Sequence, residues 1–150
     1  MGKVTWQARS TSSPVVVFTS SQMSGLANDA RVLSTGIDNS TQAERWMDLQ
    51  LTADTTAVST AGGFVSAHLL RQVSGGTYEN GDTSTDPGPN TFVGSFLFTS
   101  AATQEIHIIP SIGLPPVDFK ILLKNELGIK ISTAAGNHCK AIIYTETVAT

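Results

Sequence analysis

This 150-residue sequence reads as an all-β protein: a single-domain antiparallel β-sandwich, jelly-roll-like, of about eight to ten strands over residues 1–150. Three observations carry that reading. Thr and Ser number 19 and 16 while only 14% of residues are charged, so strand and turn formers outnumber helix formers. Short segments alternate apolar and polar side chains at period two, the pattern of a strand with one face buried. Turn signals such as Gly62-Gly63, Gly75-Gly76 and Pro115-Pro116 punctuate those segments at intervals suited to a sandwich or barrel. A chain of this length buries about 70% of the surface that it exposes when unfolded, enough for one core without covalent staples.

The elements follow in chain order. Residues 4–9 and 15–19 open the series, and 1–20 read as an extended N-terminal arm or an edge strand. Residues 20–28 carry a helical turn, and 30–34 a short strand. In 44–52, Met47, Leu49 and Leu51 share one face while Trp46, Asp48 and Gln50 share the other. Gly62-Gly63 lead into a strand at 64–72, and a long loop, TYENGDTSTDPGPN, occupies 77–90. Residues 92–99 set Phe92, Gly94, Phe96 and Phe98 against Val93, Ser95 and Leu97; residues 104–109 place Ile106 and Ile108 opposite Glu105 and His107. From 117, the residues Val117, Phe119, Ile121 and Leu123 repeat at period two with Lys120 and Lys124 on the reverse face. Helical periodicity would scatter the lysines, so a hairpin is expected here, turning at 125–128 and returning through Ile129 and Ile131. Residues 140–148 form the last strand, alternating Ala141, Ile143 and Thr145 with Ile142, Tyr144 and Glu146.

Composition narrows the function. The net charge is -3, and Lys3, Arg9, Arg31, Arg45 and Arg71 are spread singly, so no phosphate-tracking surface and no nucleic-acid partner are expected. Apolar runs fall far short of the roughly 20 residues of a membrane helix, so no membrane partner is expected either. Met1 to Trp6 lack the apolar core of a signal peptide, which implies synthesis in a cytoplasm; the Asn39-Ser40-Thr41 sequon is discounted on that ground. The one cysteine, Cys139, allows no internal disulfide and reads as a small strand residue.

No catalytic residue, cofactor or metal is assigned. In the 77–90 loop, Asn80, Asp82, Ser84 and Asp86 alternate like calcium ligands, but Thr91 stands where an EF-hand needs a bidentate carboxylate. A surface loop is the expectation. His68, His107 and His138 have no zinc spacing, and no GxSxG, P-loop or GxGxxG occurs. Trp46, on the polar side of its strand, and Tyr78, in the long loop, are the two positions read as interface or ligand contacts.

The stretch PPVDFKILLKNELGIKIS, preceded by FVGSFLFTSAATQEIHIIPSIGLPP, resembles the C-terminal half of small all-β structural proteins of tailed bacteriophage virions. Those chains likewise run from a VG-F-L strand through an L-P-P-DFK turn into a KNxxG hairpin. ERWMDLQLTADTTAVSTAGGFVSAHLL is similar to their middle strand pair, so the resemblance covers about residues 44–145. It implies a particle component with no catalytic residues. The expected function is therefore a non-enzymatic capsid decoration or cement protein, assembled in the host bacterial cytoplasm, that binds the outside of the phage head. Its expected partners are the major capsid protein, other virion proteins and further copies of itself. Three alternatives stand beside it: a tail, collar or fibre-attachment protein; a carbohydrate-binding module using Trp46 and the 77–90 loop; and a hydrolase drawing carboxylates from Asp48, Asp82, Asp86 and Glu105.

Overall fold

A computed structural model describes residues 3–8, 14–55, 62–98 and 104–149. Its strands are β1 (Lys3–Ala8), β2 (Val15–Phe18), β3 (Arg31–Leu33), β4 (Trp46–Ala53), β5 (Phe64–Ser74), β6 (Thr77–Tyr78), β7 (Phe92–Leu97), β8 (Glu105–Gly113), β9 (Phe119–Glu126) and β10 (His138–Ala149). One helical turn, α1 (Ser20–Met23), falls inside the stretch expected to carry it.

Two five-stranded antiparallel sheets result. The first runs β1-β10-β4-β8, with β2 and β1 dividing one side of β10 between them. The second runs β3-β9-β5, with β7 and β6 dividing the far side of β5. The pairings β2 with β10, β3 with β9, β4 with β8 and β5 with β7 are those of one antiparallel ribbon folded at its middle. Winding that ribbon adds the contacts β10 to β4 and β9 to β5 and sends β2, β3, β4 and β5, and then β7, β8, β9 and β10, alternately to the two sheets. This is the jelly roll that the patterning predicts. The N-terminal strands lie along the side of β10, as an edge strand would.

Alternation builds the core. Met47, Leu49 and Leu51 from β4, Val65, Ala67 and Leu69 from β5, Phe119, Ile121 and Leu123 from β9, and Cys139, Ala141 and Ile143 from β10 are each no more than 4% exposed. Each large side chain among them contributes about 1.5–3 kcal/mol by leaving water. Gly94 closes one flank of the sandwich: a Cβ there, at φ +155°, would stand 2.9 Å from Cγ2 of Ile109, so only glycine lets β7 approach β8.

The expected hairpin at 117–131 is not formed. β9 continues through Asn125 and Glu126, its partners are β3 and β5, and Ile131 makes its bridge to Thr55 instead. The chain bends at 127–129, but both edges of β9 are already taken by β3 and β5. The Asn125 side chain is buried, where Nδ2 donates to the carbonyls of Leu26, Ala27 and Ile129 and so ties loops together, while Oδ1 accepts the Leu127 N–H in an Asx turn that ends the strand. Val117 lies ahead of the strand and is half-buried, outside the core. The expected 104–109 strand also proves longer, running through Pro110 to Gly113. β8 is a sheet edge, where the missing proline N–H costs no ladder bond.

Candidate functional site

The 77–90 loop folds back over the outer face of the second sheet. Asp82 shapes its tip: the carboxylate accepts the Ser84 hydroxyl at 2.7 Å, the Ser84 N–H at 2.6 Å and the Thr85 N–H at 2.7 Å, which hold its pKa down at about 2. Asp86 ties the loop to two strands. It accepts Arg31 Nε of β3 at 2.9 Å and lies 3.2 Å from Lys124 Nζ of β9, and these partners lower its pKa. Of the alternating oxygens that resemble a calcium loop, those of Asp82, Ser84 and Asp86 are thus spent on turns and ion pairs. Among the described residues no group of three His, Cys, Asp or Glu side chains is placed to hold a metal.

Beneath the loop lies a cleft of about 370 Å³. Its floor follows from strand alternation: β5 sends Val65, Ala67 and Leu69 inward, so Phe64, Ser66 and His68 face out. Register then sets their neighbours. Lys124 and Ser95 flank Ser66, Glu126 stands opposite Phe64, and Phe92 is paired with His68. Asp86 and Pro87 close the rim.

Two polar groups on this floor are unusual. Ser66 is 3% exposed, and its Oγ is buried without a hydrogen-bond partner among the described residues. A buried hydroxyl left in that condition costs about 1–3 kcal/mol. His68 is buried beside it. The Thr91 hydroxyl gives its proton to the Gly88 carbonyl at 2.6 Å, so His68 Nδ1 must donate to Thr91 Oγ1 at 3.1 Å, leaving Nε2 as the acceptor of a neutral ring. Burial lowers the pKa of His68 below the ordinary 6.5, reinforced by Lys124 and opposed by Glu126 and Asp86. The Phe92 ring meets His68 edge-on at 5.6 Å and is 52% exposed.

Exposed large apolar side chains occur in both sheets, Val73, Phe92 and Leu97 in the second and Val16, Ile106, Ile108 and Ile142 in the first. On the outer face of the first sheet, Val16, Lys140, Gln50 and Ile108 form one cross-strand row, and His138, Thr52 and Ile106 form the next. Val16, Ile142, Ile106 and Ile108 are 44–63% exposed on this face. It has no covering loop among the described residues.

The residues singled out from sequence are dispersed. Trp46 starts β4 on the outer side of the first sheet, half-buried between Tyr144 and Gly113, with Nε1 buried and lacking a hydrogen-bond partner among the described residues. Tyr78 belongs to β6 in the second sheet, where its ring lies 4.3 Å from Lys120 Nζ. One sugar site built from Trp46 and the 77–90 loop is therefore not what the fold makes. The hydrolase carboxylates are separated too. Asp48 accepts the Tyr144 hydroxyl at 2.9 Å and the Ser111 N–H at 2.8 Å, Glu105 lies 3.0 Å from His107, and Asp82 and Asp86 remain in the loop. Asn39 of the sequon is buried, and its Nδ2 donates to the carbonyls of Glu44 and Pro115. Cys139 is buried in β10, and burial raises its thiol pKa.

From sequence, His68 is weighed only as a zinc or catalytic histidine, and Ser66, Phe92, Lys124 and Glu126 are given no site role. Their one visible signal was Ser66 and His68 alternating with apolar residues over 64–70, the first part of β5. The chain matches no protein-family model and no curated protein.

Proposed function

We propose that this chain is a non-enzymatic structural protein of a phage virion, a decoration or cement subunit that binds the outside of the head and bridges coat subunits. The observation that carries the reading is the outer face of the first sheet. Val16, Ile142, Ile106 and Ile108 lie solvent-exposed across a broad sheet face, interrupted by Lys140, Asp48 and Glu146. Apolar groups presented together on an open face favour a protein partner, and a polar rim gives such a contact its register. Two further points support it: jelly rolls recur in viral capsid domains, and the sequence resembles phage structural proteins over about residues 44–145.

The mechanism is cementing. Each subunit lays the first sheet on the coat, and many weak contacts repeated over a closed shell become collectively strong. Pro110 on the β8 edge removes a backbone donor and blunts indiscriminate strand addition, while leaving the side-chain face available.

Particles assembled without the chain should release DNA at a lower temperature, and adding the wild-type protein back should restore the release temperature. Ile106→Glu combined with Ile108→Glu should fail to restore it. Unchanged release in particles lacking the protein removes the stabilising role.

A further inference from the structure

We propose that the cleft beneath the 77–90 loop is a binding site for an uncharged saccharide. This inference is independent of the particle-binding face, which lies on the other sheet. Ser66 is the starting point: its outward-facing hydroxyl at the floor of an open cleft is 3% exposed and has no hydrogen-bond partner among the described residues, so it is placed to pair with a group entering the cleft.

The surrounding groups define what enters. Ser66 and Lys124 offer donors, while His68 Nε2, Glu126 and Asp86 offer acceptors, so the ligand must carry both kinds of group at close spacing. Adjacent ring hydroxyls meet that requirement. Charge at the rim balances, with Arg31 and Lys124 against Asp86 and Glu126, so neither an anion nor a cation gains by entering. Lys124 Nζ lies 3.2 Å from Asp86 and 3.6 Å from Glu126, a spacing at which one hydroxyl can accept from the ammonium and donate to a carboxylate. Phe92 supplies the remaining element, an exposed aromatic ring beside the polar floor for the apolar C–H face of a sugar. A cleft of about 370 Å³ is at the small end of ligand sites, which suits one or two sugar rings rather than a peptide.

The test is a titration of the full chain with D-glucose, D-galactose, D-mannose and N-acetyl-D-glucosamine and their β-linked disaccharides, followed by amide chemical shifts. Saturable shifts at Ser66, His68, Phe92 and Lys124 are expected for at least one sugar, with a Kd of about 10 mM or tighter. Phe92→Ala and Ser66→Ala should each weaken binding roughly tenfold while keeping the native spectrum. Trp46→Ala and the Ile106→Glu, Ile108→Glu pair should leave binding unchanged, which separates this site from the particle-binding face. The proposal is overturned if no sugar saturates the shifts at about 50 mM, if the shifts fall around Trp46, or if inorganic phosphate saturates the same amides more tightly than any sugar.

Discussion

The two outer faces of the sandwich come from the same alternation, and they differ in the polar groups and the loop that the second one carries. On the first sheet, outward positions of β2, β8 and β10 hold Val16, Ile106, Ile108 and Ile142 in the open. On the second, outward positions of β5 and β9 hold Ser66, His68, Lys124 and Glu126, roofed by a loop that Asp86 fastens down. Both faces back onto the same buried residues. The inward half of each strand specifies the jelly roll, leaving the outward half free to differ between sheets, so chemistry must be sought in the outward positions.

The difference can be probed by substitutions that act on both faces, then on one. Phe119→Ala empties the shared core and should cost about 3–5 kcal/mol in urea unfolding, disabling both faces together. Asn125→Ala should follow at about 2–3 kcal/mol, because the carbonyls of Leu26, Ala27 and Ile129 lose a buried donor. An undiminished midpoint there would contradict the role given to Asn125 in tying the loops.

Acid probes the second sheet through His68. His68 in the second has a lowered pKa, so the folded chain takes up its proton less readily than the unfolded chain. Its contribution is full above the ordinary 6.5 and is lost as pH falls from there towards the folded pKa, with a slope of at most about 1.4 kcal/mol per pH unit. His68→Asn should flatten that part of the stability profile. An identical slope in the variant would assign it to other groups.

Ser66→Ala removes an unpartnered hydroxyl and should leave stability unchanged or raise it by up to about 1 kcal/mol, even as it weakens sugar binding. A clear loss of stability would mean that the hydroxyl is already satisfied within the fold. Ile106→Glu with Ile108→Glu should have the smallest effect on stability, within about 0.5 kcal/mol at each exposed position.

Alternation made the fold legible. Met47, Leu49 and Leu51 point inward and Trp46, Asp48 and Gln50 outward, as their spacing requires. The hairpin at 117–131 was misread because the turn is there but the pairing is not: β9 takes its partners β3 and β5 from distant parts of the chain, and Ile131 bridges Thr55. The cleft was illegible for a related reason. Ser66 and Lys124 meet by register between β5 and β9, and Phe92 arrives from β7, so no local spacing announces them. The ion pairs of Asp86 were illegible for the same reason, because Arg31 and Lys124 are far away in the chain.

The apolar face of the first sheet is tested most directly by counting protein copies on purified particles by mass spectrometry, for the wild type and for Ile106→Glu with Ile108→Glu. A cementing role predicts copies on the order of hundreds per particle for the wild type and near-complete loss for the paired variant, with the fold intact. About a dozen copies or fewer would place the protein at the tail or collar, and undiminished incorporation of the variant would show that this face is not the contact.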